Sequence, residues 1–144
     1  MVAEKVERLC QRYGMDRFHI IGHSMGGLLA RHYIQHCGGD RRVKSLVTLG
    51  TPHRGTPTAL VGLYVTAGGF LGRSAQQMLP GSRFLRGLDE RTFPASIPLM
   101  SVYSRADLIC PWWCSILEPR PGESSMTNHE VRSVGHTELV SDPG

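Results

Sequence analysis

Gly22-His23-Ser24-Met25-Gly26 sets one hydroxyl between two glycines. A serine alcohol is a weak nucleophile. It attacks a carbonyl carbon only when a base takes its proton and a carboxylate orients that base. Both partner types occur downstream: Asp107 in "YSRADLICP" and His136 in "SVGHTELV". Together the three residues have the makings of acyl-transfer chemistry through an acyl-enzyme on Ser24. His136 would shuttle the proton, and Asp107 would hold the imidazole tautomer and stabilise the imidazolium.

The elements around these residues are readable from their patterning. Val2, Val6, Leu9 and Tyr13 recur at helical spacing and Gly14 fits a C-terminal cap, so an amphipathic helix is expected there. Phe18 to Ile21 is short, apolar and β-prone, which predicts a buried strand. From Met25 a helix is expected, ended by "CGGD". Val43 to Gly50 reads as a second strand, Ile97 to Ser104 as a third, and His129 to Val134 as a fourth. "SAQQMLPGSRFLRGLDE" is mostly helical, with a turn at Pro80–Gly81. Alternation of helix and strand predicts an α/β fold with a mostly parallel sheet of about four strands and helices on both faces.

Ser24 therefore falls where a strand turns into a helix. That corner demands a strained backbone at the serine, and Gly22 and Gly26 are expected to make room for it. The N–H of Met25, at the start of the helix, is the candidate donor to a developing oxyanion. Asp107 and His136 each fall just past a predicted strand, at the sheet end where parallel α/β folds place their sites.

Other histidines compete for the role of base. His19 lies in a strand, and His32 and His36 lie on a helix, which reads as packing or surface. His23, inside the corner, and His53, in the loop after the second strand, are candidates to line the site together with Thr51, or to fix loops by hydrogen bonds. Asp89, Glu90 and Asp142 are weaker candidates than Asp107 for the acid. Trp112 and Trp113 read as a buried aromatic pair, with lipid contact as the alternative. The apolar, glycine-broken stretch Ala59 to Gly72 is a short helical insertion that fits either a lid or plain packing.

Bulk properties narrow the class. A chain of 144 residues is expected to form one domain. Its 16 Lys and Arg against 12 Asp and Glu give a net charge of +4, scattered along the chain. That is too weak and dispersed to argue for nucleic acid. No apolar run is long enough to cross a membrane. The charged first segment is not a signal peptide, which makes the cytoplasm the default compartment. The four cysteines form no Cys-x-x-Cys pair. They leave open a Cys110–Cys114 disulfide or free thiols, and argue against a metal site.

Read together, "GHSMGG", "VTLGTPHRGT", "LPGSRFLRGL", "YSRADLICP" and "VGHTELV" resemble the α/β-hydrolase superfamily. The likeness is to bacterial lipases and esterases related to the glycolipid-anchor inositol deacylases. The resemblance implies hydrolysis of a carboxylic ester, often a fatty acyl ester, without metal or cofactor. It also implies that the loop Thr51 to Thr56 borders the site.

The same resemblance implies further strands before the first helix, one of them ending in a loop that gives a second oxyanion N–H. Nothing in Met1 to Arg17 matches that part. The chain, 1–144, is thus expected to be the C-terminal portion of one hydrolase domain. Strand Phe18–Ile21 is then expected to leave an open edge suited to self-association. A remnant or partner subunit that no longer catalyses is the competing expectation. Acyl transfer to an alcohol is compatible with the same three residues.

Overall fold

The computed structural model describes residues 2–58, 76–123 and 125–141. Helix α1 (Val2–Tyr13) leads into strand β1 (Phe18–His23) and helix α2 (Met25–His36). A short 3₁₀ turn (Gly39–Arg41) precedes strand β2 (Val43–Leu49). Helix α3 (Arg83–Glu90), strand β3 (Leu99–Tyr103) and the one-turn helix α4 (Trp112–Ser115) follow. Strand β4 (Met126–Glu130) and the short helix α5 (Glu138–Ser141) complete the order. The expected α/β arrangement is present: a four-stranded sheet in the order β1-β2-β3-β4, every neighbouring pair parallel. Because the strands run the same way, their C-terminal ends share one rim.

Strand residues alternate between two faces. On one face Ile20, Leu46, Leu99 and Met126 meet Ala30, Tyr33 and Ile34 of α2, and Phe93 and Ile97 complete the cluster. Val43, Leu46, Ile97 and Leu99 are fully buried there. Helix α1 packs on the same cluster through Ala3 and Val6. Helices were expected on both faces. On the opposite face Ile21 is 72% exposed and Met100 41% exposed. Among the described residues β1 pairs with β2 alone, so its outer edge is free.

Three expectations need correction. The inward stripe of α1 is Ala3, Val6 and Cys10, while Val2, Leu9 and Tyr13 are exposed. Both stripes have helical spacing, and the small side chains let the helix axis come nearer the sheet. Strand β4 begins at Met126 rather than His129, because Met126 pairs with Leu99 at the start of β3. Ser133, at φ 60°, has already turned out of extended geometry. Finally, Trp112 and Trp113 are not a buried pair. Their rings meet edge to face at 5.8 Å, yet Trp113 is 53% exposed, and the Arg105 guanidinium lies 4.8 Å above Trp112. The segment Ala59 to Gly72 lies outside the described residues.

All four cysteines are free thiols. Burial pushes the Cys110 thiol up to about 12, which removes it as a nucleophile near neutral pH.

Candidate active site

Strand β1 hands its chain to α2 at Ser24, whose backbone is at φ 51°, ψ −126°. For a residue with a Cβ this is a strained conformation, costing on the order of 1–3 kcal/mol. The turn is held from outside. Ser24 N–H donates to Leu49 O at 2.9 Å, and the Thr51 hydroxyl donates to Ser24 O at 2.9 Å. Space at the corner is set by Gly22 and Gly27. A Cβ on Gly22 would sit 2.7 Å from Gly27 Cα, and one on Gly27 would sit 2.2 Å from Thr51 Oγ1. Gly26, which the motif marks for this role, has no described atom within 4 Å of such a position. The close approach of α2 to β1 and β2 falls one residue later than the motif implies.

The hydroxyl of Ser24 makes no cap hydrogen bond to α2. Met25 opens that helix, so its N–H is one of the donors that helix geometry leaves unpaired.

Asp107 lies in the turn after β3 and is 3% exposed. Its Oδ1 accepts from the N–H groups of Ile109 (2.9 Å) and Cys110 (2.7 Å). Its Oδ2 accepts from His136 Nδ1 at 2.7 Å. In a neutral ring that bond places the proton on Nδ1 and leaves the Nε2 lone pair as the acceptor. His136 is 9% exposed and follows β4 by a short loop. Among its described hydrogen bonds are those with Asp107 and His23, and none with Ser24 Oγ.

Asp107 and His136 come together from loops 29 residues apart in sequence. Two residues that the motif analysis passed over make this close fit. Gly50 directly follows β2 at φ +52°, and a Cβ there would lie 2.9 Å from Asp107 Oδ2 and 3.1 Å from His136 Nδ1. The pair thus rests on bare backbone, next to the carbonyl that holds Ser24. Ser104, fully buried, accepts from Ala106 N–H at 3.1 Å and Val134 N–H at 3.3 Å, tying the acid loop to the base loop. A glycine directly after "VTL" was the available signal for the first. The second carries no local signal.

The residues expected to line the site divide. His23 sits beside His136, its ring centroid 4.6 Å away, with Nε2–H donating to His136 O at 2.8 Å. Thr51 is fully buried and spends its hydroxyl on the Ser24 corner. His53 is 4% exposed. Its Nε2 meets Thr48 Oγ1 at 3.0 Å, and its Nδ1 lies 3.4 Å from Arg31 Nη1. Burial, and then the Arg31 charge, hold this imidazole well below its ordinary value, so it is neutral. Of the remaining histidines, His19 bonds Ser45 on the sheet surface, while His32 and His36 stack on α2.

Leu108, Ile109 and Trp113, one, two and six residues after Asp107, are 84%, 55% and 53% exposed. They bring apolar surface to the segment that follows Asp107. No group of three or more metal-ligating side chains is found among the described residues.

A parallel sheet with a strained serine between strand and helix, and a buried Asp–His pair on loops at the same rim, defines the α/β-hydrolase class. Comparison with solved structures agrees. A lipase of Bacillus licheniformis matches with TM-score 0.71 at 16% identity, over 96% of this chain and 65% of its own. A carboxylesterase of the thaumarchaeon Nitrososphaera gargenis matches with TM-score 0.61 at 11% identity, over 99% of this chain and 66% of its own. A gene product of Listeria innocua matches with TM-score 0.64 at 20% identity, over 95% and 57%. The chain therefore spans about two thirds or less of the length of these three proteins. Within the class, the family model for palmitoyl protein thioesterase matches residues 1–92, and the chain belongs to that family. No curated protein matches.

Proposed function

We propose that this chain carries the serine, acid and base of a hydrolase that cleaves fatty acyl esters, with Ser24 as nucleophile, His136 as base and Asp107 as its orienting acid. The observation that supports this most is the 2.7 Å bond between His136 Nδ1 and Asp107 Oδ2, buried at the rim where Ser24 is strained. Nε2 of His136 takes the Ser24 proton as Oγ attacks the acyl carbonyl. Met25 N–H stabilises the oxyanion. The imidazolium then protonates the leaving group, and water, activated by the same Nε2, releases the acid and restores Ser24. The exposed Leu108, Ile109 and Trp113 offer an acyl chain apolar contact beside the acid.

The family match adds a thioester as acyl donor. The same three residues serve both, because the leaving group departs from a common tetrahedral intermediate. Thiol release from a palmitoyl thioester, set beside p-nitrophenol release from esters of several chain lengths, ranks the two.

Turnover of p-nitrophenyl esters by the wild-type chain and by Ser24→Ala is the test. The substitution is expected to lower kcat at least about 10,000-fold. An unchanged rate in Ser24→Ala ends the assignment, and so does failure of a fluorophosphonate to label Ser24.

A further inference from the structure

We propose that His23 is a positioning residue that ties the catalytic base to the nucleophile's strand, and so sets the reach of His136 toward Ser24. This rests on the roles assigned to Ser24 and His136 above. Besides this one, the described anchors of the loop carrying His136 include Val131 N–H donating to Tyr103 O at 2.8 Å and Leu139 N–H donating to Gly135 O at 3.2 Å. Ser104 Oγ accepts from Val134 N–H, Glu138 accepts from Gly135 N–H at 2.7 Å, and Asp107 accepts from the imidazole. These contacts bind the loop to β3, to the turn after β3, or to itself. His23 Nε2–H, donating to His136 O at 2.8 Å, is the described hydrogen bond that joins the loop to β1 across 113 residues of sequence.

Its position makes the tie specific. His23 is the last residue of β1, and its neighbour Ser24 is pinned by Leu49 O and Thr51. Movement of the His136 backbone away from β1 strains the His23 bond. The His23 ring also lies against the His136 ring, centroids 4.6 Å apart and planes tilted by 45°. That contact limits rotation of the base about χ2, while Asp107 holds only one ring nitrogen. A loop that drifted by an ångström would keep its Asp107 bond and lose alignment with the serine oxygen. Misplacement on that scale costs about 100-fold in rate.

A donor at this place, rather than an apolar filler, is therefore required. His23→Phe keeps a ring and removes the donor; His23→Gln keeps a donor and removes the ring. In His23→Phe, kcat for p-nitrophenyl butyrate is expected to fall about 10- to 100-fold with KM nearly unchanged. His23→Gln is expected to recover most of that loss. If His23→Phe does not fold, His23→Met makes the same comparison.

The second readout is the far-downfield proton resonance of His136 Nδ1–H, which reports the Asp107 bond whether or not Ser24 reacts. It is expected sharp in the wild type and His23→Gln, and broadened or absent in His23→Phe. Labelled Ser24 together with an unchanged kcat and an unchanged resonance in His23→Phe overturns the positioning role. An unlabelled Ser24 in the wild type overturns the hydrolase reading instead. In that case the resonance alone decides whether His23 orders the Asp107–His136 pair.

Discussion

Two imidazoles lie nearly out of water in this molecule, His136 at 9% exposure and His53 at 4%. Their neighbours are opposite in charge. His136 faces the carboxylate of Asp107, whose other oxygen is satisfied by two backbone N–H groups. His53 faces the guanidinium of Arg31, itself buried, with Nε lacking a hydrogen-bond partner among the described residues. Arg31 makes a 3.7 Å ion pair with the half-exposed Asp89. A charge on His136 would be compensated, whereas a charge on His53 would add to one already buried. Burial alone does not make a histidine a base. Burial is the larger cause that holds His53 neutral and the Arg31 charge the second, whereas His136 has a carboxylate beside it.

The sharpest way to break this contrast is to remove the compensating charge. Asp107→Asn keeps the shape of the acid and leaves the imidazolium unsupported, and the wrong tautomer becomes favourable. Its kcat on p-nitrophenyl esters is expected to fall about 10,000-fold, with the protein still folded by circular dichroism. A fall of less than tenfold would mean that His136 does not depend on Asp107.

Gly27 lies between the two regions. A Cβ there would press on Thr51, which holds the Ser24 corner, and on Thr48 at 2.9 Å, which bonds His53. Gly27→Ala is expected to destabilise by about 1–3 kcal/mol in urea unfolding. Gly26→Ala meets no described atom and removes helix-opposing flexibility, so a gain of about 0.5–1 kcal/mol is expected. A larger loss in Gly26→Ala than in Gly27→Ala would show that the motif's second glycine, and not the one after it, bears the helix–sheet contact.

The smallest effect concerns pH. The folded-state value of His53 lies below the ordinary 6.5 of the unfolded chain. As pH falls through 6.5, the unfolded state gains a proton that the folded state refuses, so stability declines on acidification and is regained as pH rises. His53→Gln is expected to flatten that slope. It should cost about 1–3 kcal/mol at neutral pH, where a partner of Thr48 is lost, while leaving kcat of the folded protein near the wild type. A large loss of kcat with unchanged stability would instead bring His53 into the reaction.

Much of the fold was legible because local periodicity reports burial. The apolar run Phe18 to Ile21, the glycine-flanked serine and the helical pattern from Met25 predict a strand–corner–helix unit, and that unit is present. Asp107 and His136 were placed after their strands for the same reason, although β4 starts three residues earlier than its alternation suggested. Its solvent-facing residues Thr127 to Glu130 carry little apolar signal, so only pairing with β3 sets its bounds. The Trp112–Trp113 pair misled because aromatic pairs usually fill cores, whereas here Arg105 shields one ring and the other meets water.

The sequence by itself determined the order of elements, the strained serine and the types of its two candidate partners, since each depends on neighbours within a turn or a strand. Tertiary structure decided that Gly27 and Gly50 are the crowded positions, that Ser104 ties the acid loop to the base loop, and that His23 reaches His136 while His53 turns toward Arg31. Those outcomes depend on the register of parallel strands and the path of loops far apart in the chain, and no pattern of nearby residues encodes which distant side chain a ring or a hydroxyl will meet.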